Sequence, residues 1–409
     1  MAAMTNAQHS GGHEVVIVGG GLVGASLAVA LDRAGIDTAL VEATPPGAMP
    51  AVFDQRNLSF AEATVNALTA LGILQKLQVP AGPIRQIHIS RAGDFGRVGL
   101  DAAGYGRDSF GQVVVARDFG DALEARLGEL TRLTRYRPAR FIGFGDAAGR
   151  RGIRIAGPDG ERLLQARLVV GADGADSAVR AALGIGAQVH DYRQRLFIAR
   201  VRPERAPDGR AFERLTDHGP TALLPRGDRH YGIVHGVDAD AAAAVEALDD
   251  APFLARLQSV FGWRAGRFLG VGPRSSHPAR RVVADDTVGT RTVLVGNAAQ
   301  SLHPIGAQGF NLGLRDALTL AELVADASDP GAPALLDAYA ARRREDRART
   351  LAFSDGLARL SANPSPLLRP LRSLGLLAID RDAGLQALLA GGAMGYRGDV
   401  PALCRGVAA

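Results

Sequence analysis

Apolar and polar positions change rhythm several times along the chain. Glu14 to Val18 is a short, mostly apolar run that breaks at Gly19, Gly20 and Gly21. Leu22 to Ala34 follows as a predicted helix with Gly35 as its stop, and Thr38 to Val41 is a second apolar run. The chain therefore opens as strand, helix, strand. A helix is predicted at about Ala61 to Gln75. Ile84 to Ser90 (IRQIHIS) alternates with the period of two of a half-buried strand. Another helix is predicted at about Phe119 to Leu130, and Ala166 to Gly174 (ARLVVGADG) reads as a strand running into a turn.

From about Leu196 the pattern changes. LFIARVR, AFERLT, TALLP and RHYGIVHG are short alternating or apolar runs separated by turn residues such as Arg226, Gly227 and Asp228. They predict an antiparallel sheet, hence a second domain inserted between parts of the first. Strand signals of the first kind return at Arg291, after which helices dominate. Pro364, Pro366 and Pro370 mark a break before a last helical region. The expected division is a disordered start at 1–12, a discontinuous first domain of 13–83, 111–190 and 280–350, a β-sheet domain of 84–110 and 191–279, and a helical carboxy-terminal region of 351–409.

Composition adds exclusions. With 409 residues, 47% of them hydrophobic and 22% charged, the chain has the make-up of an ordinary globular protein. The net charge of +5 rests almost wholly on arginine, because Lys76 is the only lysine. Composition bias explains that excess, and so does attraction to anionic lipid or an acidic partner. No basic run is interleaved with aromatics, which argues against nucleic acid as a partner. The single cysteine, Cys404, excludes an internal disulfide framework, a paired-cysteine redox motif and a cysteine-based zinc site, and it fits a reducing cytoplasm. Val15 to Leu31, the most apolar stretch, is broken by four glycines and too short for a comfortable membrane span.

The chemistry begins at VVIVGGGLVGASLA, which holds G-x-G-x-x-G as Gly19, Gly21 and Gly24. The first glycine permits a tight turn, the second lets a pyrophosphate approach the backbone, and the third lets helix and strand pack closely. The helix start presents free N–H groups and partial positive charge to the phosphates. Glu42, at the end of the next strand, has the spacing of a ribose-binding acid. This predicts a dinucleotide site on a Rossmann-like α/β domain.

Two later stretches refine it. Gly171, Ala172, Asp173 and Gly174 close a strand, with Ser177 and Arg180 on the helical segment that follows. Late in the chain, VGNAAQSLHPIGAQGFNLGLRDA (Val295 to Ala317) joins a strand to a helix through a glycine-rich loop with no nucleophile in it. Together the three motifs resemble the single-component FAD-dependent aromatic hydroxylases over nearly the whole length. GRAFERLTDHGPTALLP (Gly209 to Pro225) and HPIGAQGFNLGLRDA look like the branch that acts in ubiquinone biosynthesis, the 2-octaprenyl-6-methoxyphenol hydroxylases. The chain departs from the wider family at Asn297, where Asp is usual, at Gln300, where His is frequent, and at Gly306 and Ala307, which invert the usual order.

The resemblance implies FAD as cofactor, NAD(P)H and O2 as co-substrates, and a C4a-hydroperoxyflavin that delivers one oxygen to a prenylated phenol. It implies that Gly296 and Asn297 lie at the ribityl chain and that Gly309, Phe310 and Asn311 open a helix aimed at the flavin N1–C2=O edge. Arg56 (in FDQRNLS), Gln112 and Arg117 (in GQVVVARD), and Asp173 with Gly174 fall where the family places FAD contacts. No second nucleotide fingerprint is present, so NAD(P)H visits without a domain of its own.

Other residues have two readings. His303 and Pro304 sit in the flavin loop, His303 as a proton relay or as a hydrogen-bonded structural residue. His218, Tyr231 and His235 lie in the sheet expected to cover substrate, as phenol contacts or as ordinary sheet residues. Ala341 to Arg349 (ARRREDRAR) reads as a solvated helix face with i,i+4 pairing. Leu367, Leu368, Leu371, Leu374 and Leu377, with Arg369, Arg372 and Arg381 nearby, form either a helix packed on the core or a surface docking peripherally on the membrane or on enzymes of a biosynthetic complex.

Overall fold

The computed structural model describes residues 9–362, 365 and 367–406. Its first sheet, eight-stranded among the described residues, has a parallel centre. Strands Thr292–Leu294, Gly160–Gly171, His9–Val18, Thr38–Val41 and Leu133–Tyr136 lie side by side in that order. At the centre, Val15 to Val18 and Thr38–Val41 are buried throughout, which is why they read as unbroken apolar runs. Val15 and Ile17 pack into one core layer and Val16 and Val18 into another. The first strand begins at His9, before the expected Glu14, so residues 9–12 are strand where a disordered start was expected; residues 1–8 lie outside the described residues.

The helices fall close to expectation. Leu22–Arg33 crosses from the first strand to the second, and Ala116–Leu127 replaces the predicted start at Phe119. Glu62–Ala70 is shorter than predicted because Gly72 turns the chain at φ +74°, after which only a short 3-10 turn, Leu74–Lys76, follows.

A nine-stranded sheet, again counted among the described residues, holds the alternating runs. Its order is Gln300–Ser301, Ser275–Ala284, Ala187–Pro203, Tyr231–Asp238, Thr221–Pro225, Arg210–Leu215, Gln86–Arg91 and Arg97–Asp101, with Phe268–Val271 beside Ala187–Pro203. Pairing is antiparallel except where Arg210–Leu215 runs parallel to Gln86–Arg91. One face is covered by helix Asp250–Phe261 through Phe253, Leu257 and Phe261, which pack with Phe197, Tyr231 and Ile233. The opposite face looks back toward the first sheet.

Helix Gly309–Ala325 packs on Leu22–Arg33 and on the long helix Pro333–Ser361. A Cβ on Gly313 would stand 2.9 Å from Val23 Cγ2 and 3.0 Å from Gly296 Cα, so glycine is what allows the late loop to sit against the amino-terminal turn. The arginine-rich run on Pro333–Ser361 departs from expectation. Glu345 and Arg349 do form an exposed i,i+4 pair at 2.7 Å. Arg343, Asp346 and Thr350, however, share an inward face and are almost fully buried. Arg315 grips Asp346 through Nε at 2.6 Å and Nη2 at 3.0 Å, and Arg343 reaches Asp316 at 2.8 Å and Asp346 at 2.6 Å. Gln300, at its departure from the family pattern, donates to Asp316 at 2.6 Å and accepts from Arg347 at 2.8 Å.

The carboxy-terminal helices are Leu368–Arg381 and Ala383–Met394. Pro364 and Pro366 lie outside the described residues. Leu368–Arg381 turns its polar side inward: Arg372 pairs with Asp94 at 3.3 Å and Ser373 Oγ accepts from Phe95 N at 3.2 Å. Leucines face out, with Leu367 83%, Leu371 63%, Leu374 53% and Leu388 of the next helix 74% exposed. Core packing accounts for Leu376 and Ile379 but not for these four.

Candidate active site

A cavity of about 860 Å³ lies where the amino-terminal glycine turn, the loop before helix Gly309–Ala325 and the free face of the nine-stranded sheet meet. Two helices open onto it, Leu22–Arg33 and Gly309–Ala325, and neither start is capped by a side chain. Their first N–H groups are therefore available to an anionic or carbonyl-bearing ligand in the cavity.

The glycine turn is dictated by packing. Gly19 takes φ +107°, and a Cβ on Gly24 would meet Gly19 O at 2.0 Å, so the turn and the helix start close on each other only with glycine. Gly21 is different, since a Cβ there would meet only Val52 at 3.6 Å, and it faces the cavity. Glu42 braces this turn: Oε2 accepts from Gly20 N and Oε1 from Thr44 N, both at 2.7 Å. Two bonds leave the carboxylate further lone pairs for a ribose hydroxyl.

Asp173 and Gly174 line the same cavity. Asp173 is fixed by Ser177 Oγ and by Val179 N at 3.1 Å. Arg180 donates to Ala298 O at 2.9 Å, which ties this segment to the late loop. In that loop Gly296 takes φ +58° behind the wall, while Asn297 is exposed and lines it. The inverted Gly306 and Ala307 both take positive φ, +70° and +51°. For Ala307 this costs about 1–2 kcal/mol, against which Ala307 O accepts from Asn311 Nδ2 at 2.8 Å.

The cavity brings together Gly19, Gly21, Glu42, Arg56, Asp173, Gly174, Asn297, Pro304, Gly309 and Phe310. Arg56 is held there by a two-point pairing with Asp54 at 2.8 and 2.7 Å. Gly24 and Gly296 support the wall from behind. Asn311 is buried and spends its amide on Ala61 N, Thr64, Ser59 O and Ala307 O, bracing the helix start rather than facing the cavity. Gln112 and Arg117 do not line it; Gln112 sits in a small side sheet paired with Phe60, and Arg117 points to solvent.

None of the three substrate candidates lines the cavity. Tyr231 and His235 fall on the helix-covered face of the sheet, since side chains alternate along a strand; Val234, between them, lines the cavity. His235 is neutral, pushed down to about 4 by burial, with Thr221 at 2.8 Å and Arg256 at 3.2 Å on its two nitrogens. His218 is an exposed turn residue paired with Asp238. His303 also stands off the cavity. Ile305 N donates to its Nδ1 at 3.2 Å, so Nε2 carries the proton and donates to Gln194 at 3.2 Å. Burial holds it down to about 4, and both nitrogens are occupied. This is the geometry that the reading as a hydrogen-bonded structural residue describes.

Polarity is the sequence signal that marks these residues, and the wall is mostly apolar. Leu196, Ile198, Ala222, Leu224 and Val234 form it, all legible as one phase of the alternation in LFIAR, TALLP and GIVHG. The ionisable exceptions on this sheet are His277 and, absent from the sequence candidates, Glu213. It lies on the cavity phase of AFERL, and burial pushes its carboxyl up to about 7.

This arrangement fits a flavin dinucleotide: a glycine cradle and acid at one end, an uncapped helix start in the middle, and an apolar wall at the other. The FAD binding domain family model matches residues 13–354. The chain is 36% identical over 405 residues to ubiquinone hydroxylase UbiL of Rhodospirillum rubrum, covering 96% of this chain and 93% of that one. It is 29% identical to the 3-demethoxyubiquinol 3-hydroxylase of Escherichia coli, over 90% of this chain and 95% of that one. The crystal structure of p-nitrophenol 4-monooxygenase PnpA from Pseudomonas putida superposes with a TM-score of 0.77, over 95% of this chain and 98% of that one; at 20% identity it speaks for the fold alone. The chain belongs to the FAD-dependent monooxygenases of the FAD binding domain family, in the branch of the ubiquinone-biosynthesis hydroxylases.

Proposed function

We propose that this enzyme hydroxylates the ring of a prenylated phenol, with 2-octaprenyl-6-methoxyphenol, converted to the 1,4-benzoquinol, as the specific candidate. The observation that carries the reading is the single cavity whose one end is a nucleotide cradle and whose other wall is apolar sheet. Bound FAD supplies reduction by NAD(P)H and transfer of one oxygen atom from O2. The chain supplies the rest. The Gly19–Gly24 turn holds the pyrophosphate, Glu42 the ribose, Asn297 the ribityl chain, and the N–H groups at Gly309 and Phe310 the polar edge of the ring. Strands 84–110 and 191–279 act as the substrate domain, where Leu196, Ile198, Leu224 and Val234 exclude water and hold an apolar ring in reach. The test is NAD(P)H oxidation by FAD-loaded protein across phenols that differ in ring substitution and tail length. Stimulation by prenylated phenols above their short-chain analogues is expected; equal rates with and without any phenol contradict the reading.

No helix among the described residues is long and apolar enough to cross a membrane. We propose peripheral docking through Leu367, Leu371, Leu374 and Leu388, whose outward exposure beside Arg369 and Arg381 suits an anionic lipid surface. Flotation with anionic liposomes should fall when Leu371, Leu374 and Leu388 are changed to Ser in FAD-loaded protein. Unchanged flotation sinks the docking role.

A further inference from the structure

Across the cavity face of the nine-stranded sheet, pairing sets Ile89, Glu213, Ala222, Val234 and Ile198 in one row. Four are aliphatic and one is a carboxylate. Glu213 Oε1 is buried without a hydrogen-bond partner. The charged groups around it are engaged elsewhere. Arg214 and His88 belong to the opposite phase of their strands, and Arg91, on the same phase, is held by Asp94 and Asp217. Strand Thr221–Pro225 carries no ionisable residue. His277, the other ionisable wall group of this sheet, stands 3.9 Å from Asp54, beside Arg56. Tyr192 donates to Asp355 at 2.7 Å.

Its placement adds to this. Leu215, two residues along and roughly 7 Å away on the same face, shares an apolar cluster with Ile305 of the flavin loop. Ala211, two residues the other way, belongs to the cluster of Ile84 and Ile87, which also line the cavity. Glu213 therefore sits in the ring-covering part of the wall, close to the loop assigned to the flavin. A carboxylate oxygen buried without a partner costs stability that an aliphatic residue in the same row would not.

Resting on the hydroxylase reading, we propose that Glu213 is the catalytic residue that recognises the substrate's ring hydroxyl and takes its proton during oxygen transfer. The hydroxyl donates to the Glu213 carboxylate in the bound complex. An ordinary phenol, at about 10, keeps its proton there. As the ring carbon ortho or para to the hydroxyl forms its new C–O bond, electron density leaves the hydroxyl oxygen and its acidity rises steeply. The substrate O–H bond breaks, the proton passes to Glu213, and the pair left on oxygen forms the ring carbonyl. Loss of the ring C–H proton to solvent restores aromaticity, and Glu213 returns its proton to the carbonyl oxygen. Oxygen donor and reductant are those of the flavin reaction. With its carboxyl near 7, Glu213 is matched to acid–base work at neutral pH.

The test uses FAD-loaded protein with Glu213→Gln, Glu213→Asp and Glu213→Leu. Glu213→Gln should lose about 100-fold in kcat/KM at unchanged FAD content. In the parent enzyme kcat/KM should rise with pH through about 7; that limb should vanish in Glu213→Gln and persist, displaced, in Glu213→Asp. Binding supplies the independent readout. By flavin absorbance, the parent should prefer a phenol to its O-methyl ether about tenfold, the worth of one such hydrogen bond, and Glu213→Leu should bind both alike. Full activity and an unchanged pH limb in Glu213→Gln overturn the proposal, as does a preserved phenol preference in Glu213→Leu. If the parent binds phenols but hydroxylates none, the functional reading fails and the binding comparison alone decides Glu213.

Discussion

Beneath helix Gly309–Ala325, two arginines and two aspartates are buried together; in the cavity wall a half-buried glutamate turns one carboxylate oxygen inward with no partner. In the first region all four carboxylate oxygens of Asp316 and Asp346 have donors, from Arg315, Arg343, Gln300 and Thr350. Burial alone raises the carboxyl of Asp346, and the two guanidinium groups outweigh it and hold it below its usual value. In the second region nothing answers burial, and Glu213 shifts the other way. For the carboxylates the penalty is thus compensated where the fold carries the charge, although Arg315 Nη1 and Arg343 Nη1 stay buried without a partner, and it is left open where we assign the charge to a substrate. Glu42 lies between them, with backbone N–H groups as partners and room for a ligand.

Breaking the compensated region should have the largest effect. Asp346→Ala leaves Arg315 and Arg343 buried without their shared acceptor, and should cost about 3–5 kcal/mol in urea unfolding. A loss below about 1 kcal/mol would mean that the network is not what holds the two helices. Glu42→Ala should leave the fold standing and weaken FAD by about 1.5–3 kcal/mol, measured by equilibrium titration of apoprotein. Unchanged affinity would return Glu42 to the role of a turn brace.

The lone charge should show in the pH dependence of stability. Glu213 is raised from 4.5 to about 7 in the fold, so the unfolded chain releases its proton first, and stability from this group falls as pH rises between those values. His235 and His303 act oppositely: lowered from 6.5 to about 4, they add stability as pH rises through that range. Subtracting parent from Glu213→Gln isolates the first contribution. The variant's advantage should grow from pH 4.5 to 7, and a flat difference would show that Glu213 is not buried alone. The smallest effect is expected from Asn297→Asp, which adds a carboxylate where the loop is exposed. FAD affinity should change little, since both side chains offer an acceptor, and the potential of bound flavin should fall; complete loss of flavin would show that the Asn297 N–H groups are essential.

Much of this was legible in the chain, and the misses share a cause. Local rhythm located the strand–helix–strand opening, the glycine turn and the late loop, because each is specified by residues within a few positions. The inward face of Pro333–Ser361 looks solvated in the sequence because Asp316 and Gln300, the partners of Arg343 and Arg347, lie 27 and 47 residues away. Alternation in GIVHG defined two faces without saying which one helix Asp250–Phe261 would cover. Polarity then favoured Tyr231 and His235 over Val234. Glu213 is silent in the sequence for the same reason: AFERL alone does not tell a solvated glutamate from one facing a cavity.

The central claim, oxygen transfer in this cavity, is tested most directly with isotope. FAD-loaded protein, NAD(P)H and a prenylated phenol under ¹⁸O₂ should give product with one ¹⁸O in its new hydroxyl group. Consumption of NAD(P)H with all reduced oxygen recovered as hydrogen peroxide, and no label in the ring, would contradict it.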